Sequence, residues 1–280
     1  MFKRVAAKVW AFDAEWVPDP EAGRRLHGLG DDVPDRQVRE HMWQAGGASD
    51  DDPTPFLKTV LCRVVSISAV TRHRRGDGQV SLALATLPRA ADDPAQCAEA
   101  AIIGGFLGAV GEHAPQLVGF NSGASDLKIL MQRGVVSGIQ AAAFCARPDK
   151  PWEGVDYFAR GGEFHVDLRD ILGGFGRVTP SLHELATLSG IPGKLDVDGD
   201  QVAELWLQGR TAEIAAYNEC DALTTYLVWL RLAHFGGHFD ARGYAAEQDR
   251  VAALLDERIA AGDAPHLERF RSAWEALQQR

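Results

Sequence analysis

The chain has 280 residues, 46% of them hydrophobic and 24% charged, which is enough to bury one large core or two modest ones. A formal net charge of −10 weighs against a protein that holds nucleic acid by a broad basic surface, yet permits an enzyme that grips a few nucleotides through bound cations. No apolar run approaches the roughly 18 residues a membrane span needs. Lys8 and Asp13 cut short any leader-like stretch, and Cys62, Cys97, Cys145 and Cys220 are too scattered for a zinc site or disulfide framework, so a cytoplasmic protein with reduced cysteines is expected.

In chain order, residues 8–13 predict a buried strand, and Asp13-Ala-Glu15 stands at the end of the apolar run that begins at Lys8. Side chains of a strand alternate faces, so the two carboxylates share one face and repel unless a cation lies between them. Hard cations such as Mg²⁺ and Mn²⁺ favour such oxygen ligands. The stretch from Pro18 to Pro55 is rich in Asp, Gly and Pro and reads as a flexible excursion with a helix over Asp35–Gln44. Strands over 60–71 and 79–87, joined by the turn Arg-Gly-Asp-Gly at 75–78, complete a meander.

A helix over 95–112, a short strand at 116–120 and a helix over 125–133 follow. After a loop at 146–162, residues 164–172 predict a further strand. Ser181 and Glu184 have the spacing of a capping box, Asp200 opens a helix over Gln201–Leu207, and a long helix covers about 210–233. The tail at 243–279 is amphipathic and helical, an appendage or a means of assembly. A meander followed by alternating helix and strand implies an α/β fold, a mixed central sheet flanked by helices. The expected organisation is a main domain over 1–240 with a polar insertion at about 18–55, then a C-terminal helical appendage at 241–280.

Two further acidic elements stand downstream. Asp126 follows the short strand at a helix start, where an anion is favoured, in the run Asn121-Ser-Gly-Ala-Ser-Asp126. In Tyr217-Asn-Glu-Cys-Asp221 the tyrosine and aspartate are four apart and share one helical face.

These pieces together resemble the DEDD superfamily of 3′–5′ exonucleases, whose fold is RNase H-like. That family carries, in this order, Asp-x-Glu on the first strand, an Asn-to-Asp segment and a late helical Tyr-x-x-x-Asp. The tyrosine places the resemblance in the subgroup of the proofreading domain of family-B DNA polymerases. Arg63-Val-Val-Ser-Ile-Ser-Ala, Val166-Asp-Leu-Arg-Asp-Ile-Leu and Ile191-Pro-Gly-Lys are similar to stand-alone bacterial predicted exonucleases of that type. The resemblance spans roughly 8–235, leaving out 18–55 and the tail. One position departs from it: the residue before the second-motif aspartate is usually Phe or Tyr, and here it is Ser125.

The resemblance implies a metal-dependent 3′–5′ exonuclease, a phosphodiester hydrolase that uses two divalent cations, Mg²⁺ or Mn²⁺, roughly 4 Å apart. It would release nucleoside 5′-monophosphates from single-stranded DNA or RNA 3′ ends. By the same resemblance Asp13 bridges both ions, Glu15 and Asp221 bind the ion that activates water, and Asp126 holds the second. Tyr217 orients the attacking water, since an ordinary tyrosine with a pKa of about 10 is a poor base. Asn121 braces the loop or the substrate strand. Trp16, Phe120 and Trp152 offer faces for a terminal base. Lys128, Arg147, Lys150 and Lys194 lie in or near segments able to meet phosphates, with Lys194 the substrate-binding candidate.

The alternative is a catalytically weak nucleic-acid-binding or protein-interaction module on the same fold, motivated by Ser125 and the acidic surface. The main rival site is His165-Val-Asp-Leu-Arg-Asp170, which fits the histidine subgroup of the superfamily but falls on a predicted strand and early in the chain. His234-Phe-Gly-Gly-His238 has helical ligand spacing interrupted by two glycines.

Overall fold

β1 (Lys8–Pro18) forms the middle of a five-stranded mixed sheet. The computed structural model describes residues 1–150, 152–159, 161–174, 178–193, 199–262 and 264–279. β2 (Cys62–Arg74) runs antiparallel to β1 and to β3 (Val80–Leu87). β4 (Gln116–Gly119) and β5 (His165–Asp167) are parallel additions on the other side. With helices on both faces this is the RNase H-like α/β fold that the sequence implied.

The alternation along β1 decides what each face carries. Phe12 and Ala14 enter a core with Ile102, Ile103 and Phe106 of α3 (Glu99–His113) and Ile129 and Leu130 of α4 (Asp126–Val136). Val9 and Ala11 enter the opposite core, dominated by Leu223, Tyr226 and Leu230 of α9 (Thr211–Phe235). Asp13 and Glu15 therefore continue the α9 face, beyond its apolar portion. The β1–β2 register slips immediately after Glu15, a bulge that bends the strand beside the two carboxylates.

Within the stretch expected to be a flexible excursion, α1 (Pro20–His27) is an unexpected helix, and α2 (Asp35–Ala45) forms where a helix over Asp35–Gln44 is expected. α1 starts where Asp19 caps it and Pro20 occupies the first turn. Val38 and Met42, one turn apart on α2, are fully buried against Leu57, Cys62 and Val64. The two helices touch closely: a Cβ on Gly23 would stand 2.6 Å from Met42 Sδ, so this position admits only glycine without a shift. Polarity confined to the outer faces gave the segment its loop-like appearance.

A buried ionic network fixes the second face. Arg133 of α4 reaches Asp19 at 2.6 Å and Glu99 at 2.7 Å, and Glu99 Oε1 accepts the Val64 N–H at 2.8 Å. Each charge is hydrogen-bonded, which is what lets such a network stay buried, and it locks α1, α3, α4 and β2 to one another. The N-terminus of α4 is thereby aimed at β1.

After the single turn α5 (Ala142–Cys145), the predicted strand over 164–172 is corrected to three residues of β5 followed by α6 (Leu168–Leu172). The Asp167 carboxylate accepts the Arg169 N–H at 2.9 Å and that of Asp170 at 3.4 Å, a side-chain cap that turns strand into helix. α7 (Leu182–Leu188) opens with the expected capping box between Ser181 and Glu184, and α8 (Gly199–Leu207) precedes α9. α10 (Ala241–Ala260) and α11 (Pro265–Gln278) bury Val251, Leu255, Phe270 and Trp274 in the α9 core. A buried bidentate pair at 2.6 and 3.0 Å joins Glu247 of α10 to Arg72 of β2. Among the described residues no helix is long and apolar enough to cross a membrane, and no disulfide joins the four cysteines.

Candidate active site

α9 crosses the acidic end of β1, so residues at its N-terminal half face Asp13 and Glu15. Asp13, Glu15 and Asp221 each offer a carboxylate oxygen, and the three oxygens all lie within 4.8 Å of one another. Tyr217, one turn before Asp221, rests its ring against Val17, Val65, Val202, Leu205 and Ile214. Its hydroxyl hydrogen-bonds to the Asp221 carboxylate.

Asn218 is a member of the site that sequence reasoning missed. It is wholly buried; its Nδ2 donates to Asp13 Oδ2 at 2.7 Å, and its Oδ1 accepts the Ser66 hydroxyl at 3.0 Å. It stands inside Tyr217-Asn-Glu-Cys-Asp221, next to the tyrosine. A buried amide beside a carboxylate fixes that carboxylate's orientation and favours its charged form.

Asp126 enters from the β4–α4 turn and lies outside the close triplet. Its Oδ1 accepts the Ala14 N–H at 3.1 Å and its Oδ2 the Ser125 hydroxyl at 3.0 Å, and it is 4% exposed. Ser125, where the resembled family has an aromatic ring, thus braces the acid by a hydrogen bond instead of by packing. Asn121 adopts φ of 61°, a left-handed conformation that asparagine tolerates better than most residues. Asp167 stabilises this turn by accepting the N–H of Asn121 at 2.9 Å and of Gly123 at 2.8 Å.

The electrostatics fit a divalent cation. Burial first, then the charges of Asp126, Glu15 and Asp221, hold the Asp13 carboxyl well above the usual carboxylate range, against the opposing bond from Asn218. Burial pushes Asp126 up to about 6. Burial and the charges of Asp221, Glu15 and Asp13 raise the Tyr217 hydroxyl, so it stays protonated and serves as a donor. Three carboxylates whose oxygens converge, with Asp126 nearby and with both Asp13 and Asp126 resisting ionisation, could hold a hard divalent cation.

A cavity of about 510 Å³ opens beside the cluster. Asp13 and Asp126 line it together with Trp16, Phe120, Asn121 and Ser125, so the proposed substrate-binding positions Trp16, Phe120 and Asn121 do converge there. Glu15, Tyr217 and Asp221 flank it without lining it. Glu184 also borders the cavity, but its carboxylate is engaged by the backbone N–H and hydroxyl of Ser181. Lys194 lies outside the described residues. Arg147 pairs with Asp156 at 3.0 Å and Lys150 with Glu153 at 3.0 Å; neither they, Lys128 nor Trp152 line the cavity.

Arg169 does line it, and sequence reasoning missed it because it stands within the rival histidine motif. In that motif His165 Nε2 pairs with Ser122 Oγ at 2.9 Å, and burial lowers the imidazole pKa, consistent with a neutral structural ring. The other histidine pair is equally structural: His234 Nδ1 meets the Phe239 carbonyl and His238 stacks on Phe2.

Residues 54–274 match the model of a family described as a predicted 3′–5′ exonuclease related to the exonuclease domain of PolB. The match contains Asp126, Tyr217 and Asp221, begins after Asp13 and Glu15, and runs into α11, beyond the span of the resemblance read from sequence. Among curated proteins none matches the chain.

Proposed function

We propose, since the chain belongs to this family of predicted 3′–5′ exonucleases, that it releases nucleoside 5′-monophosphates from the 3′ ends of single-stranded DNA or RNA in the cytoplasm. The observation that carries the reading is the convergence of Asp13, Glu15 and Asp221 within 4.8 Å, one helical turn from Tyr217. Two Mg²⁺ or Mn²⁺ ions, held by these three acids and Asp126, would supply an activated water and neutralise charge on the phosphodiester.

In this reading the chain's own residues hold that arrangement. Asp13 is shared between the triplet and the cavity, which suits a bridging ligand, and Asn218 fixes its orientation. Tyr217 keeps its proton, orients Asp221 and offers a hydroxyl to the attacking water. Ser125 and the Ala14 N–H hold Asp126 at the cavity wall. Trp16 and Phe120 present aromatic faces to the terminal base and Asn121 steadies the strand, while Lys194, outside the described residues, would meet a phosphate.

Strand direction tests the reading. On a 5′-labelled single strand, the products should form a ladder shortening from the 3′ end, with 5′-mononucleotides released. A blunt duplex should be a poor substrate, because unstacking its paired end costs a few kcal/mol. Cuts within circular single strands, or equal rates on duplex and single strand, would contradict it.

Metal dependence should also appear in stability. A carboxyl raised by folding keeps its proton more readily when folded, so its contribution to stability falls as pH climbs from the ordinary carboxylate range through about 6. In EDTA, Asp13 and Asp126 therefore favour the fold more at about pH 5 than at about pH 7.5. Mn²⁺ reverses that order by binding the ionised acids, and should raise the melting temperature by several degrees at the higher pH and far less at the lower. A Mn²⁺ shift that is absent, or equal at both pH values, would count against the site.

A further inference from the structure

Arg169 is the one basic side chain among the described residues that line the acidic cavity. It is exposed, and its guanidinium donates to Asn121 Oδ1. Among the described residues it enters no ion pair, whereas Arg72, Arg133 and Arg147 each have a carboxylate within 3.0 Å. With 39 acidic residues against 29 basic ones, an arginine left without a carboxylate beside this cluster is poised for an anion from outside. We propose that Arg169, held by Asn121 at the rim of the carboxylate cavity, grips a backbone phosphate of the substrate strand.

The placement is built by the fold. One oxygen of Asp167 accepts the N–H of Asn121 and the N–H of Arg169, each at 2.9 Å, so a single carboxylate sets both backbones. Asn121 then spends its side-chain oxygen on Arg169 and its Nδ2 on Ser125 Oγ at 3.3 Å. Ser125 donates in turn to Asp126. A hydrogen-bonded chain thus runs from the exposed guanidinium to the buried acid. A guanidinium has five N–H donors in a planar fork, and one bond to Asn121 leaves a pair for two phosphate oxygens. This cation also answers how so acidic a chain meets a polyanion.

The assignment rests on the exonuclease reading for its substrate, and the test separates the two. Binding of a 5′-fluorescein single-stranded oligonucleotide is followed by anisotropy across a KCl series, with the full chain carrying Asp13→Asn to slow cleavage. Adding Arg169→Gln should weaken binding roughly tenfold, the scale of one lost charge-assisted contact. It should also flatten the slope of log affinity against log salt by about 0.7, the value for one phosphate on a single strand. Arg169→Lys should restore the slope and part of the affinity. In the otherwise native chain, Arg169→Gln should raise KM with kcat little changed and leave the Mn²⁺-induced melting shift intact.

Unchanged affinity and slope would overturn the assignment. So would loss of the Mn²⁺ shift, which would make Arg169 a brace for Asp126. If Arg169→Gln weakens inhibition by a free 5′-mononucleotide but not oligonucleotide binding, the residue holds product instead of strand, and the proposal fails. A native chain that cleaves while Arg169→Gln changes nothing defeats this assignment alone. Arg169-dependent binding without cleavage defeats the exonuclease reading alone, and absence of both binding and cleavage defeats both.

Discussion

Asp13→Asn is expected to lower strand degradation at least about a hundredfold, the scale on which loss of a preorganised charge-stabilising group acts. Asp13 is the acid that belongs both to the close triplet and to the cavity, and asparagine keeps its size while removing its charge. The fold should survive. Burial and three neighbouring carboxylates already oppose ionisation of Asp13, so neutralising it relieves repulsion, and the melting temperature in EDTA should not fall. The Mn²⁺-induced shift should shrink. A variant that degrades strands at the native rate would remove Asp13 from the mechanism, and one that melts early would show that the loss of rate came from misfolding.

The second large effect distinguishes the late helix from its rival. Asp221→Ala should abolish activity and weaken Mn²⁺ binding, because it removes one of the three converging oxygens. Tyr217→Phe keeps the ring that packs on Val17 and Leu205 but loses the hydroxyl bonded to Asp221, so the rate should fall roughly ten- to a thousandfold with stability little altered. His165→Ala should change the rate only a fewfold, since its ring bonds to Ser122 and not to the acids of the cluster. A folded but inactive His165→Ala beside a fully active Tyr217→Phe would move the site to the histidine motif.

The parts of this arrangement that follow a short period were readable in the sequence. Asp13 and Glu15 share a face because strands alternate; Tyr217 and Asp221 share one because helices return every three to four residues; Ser181 and Glu184 announce a cap. What escaped depends on contacts between distant segments. α1 is anchored by the bare backbone of Gly23 against Val38 and Met42 of the expected α2, too little apolar surface of its own to outweigh a polar stretch in the sequence. The 164–172 strand was cut short by Asp167, whose capping role requires its carboxylate to turn back on Arg169.

The two missed site residues have the same origin. Asn218 becomes part of the site only because β1 and β2 both cross α9 at that level, so that Asp13 and Ser66 meet one amide. Arg169 reaches the cavity because Asp167 sets its backbone and that of Asn121, 48 positions apart, with one oxygen. Neither relation has a spacing that a sequence pattern records.

Metal-dependent attack from a 3′ end is read out on end-labelled single-stranded DNA and RNA incubated with the full chain in Mn²⁺, Mg²⁺ or EDTA. Progressive shortening from the 3′ end of at least one of the two strands is expected with a divalent cation, and none in EDTA. Degradation undiminished by EDTA, or strands bound but left intact in both cations, would contradict it.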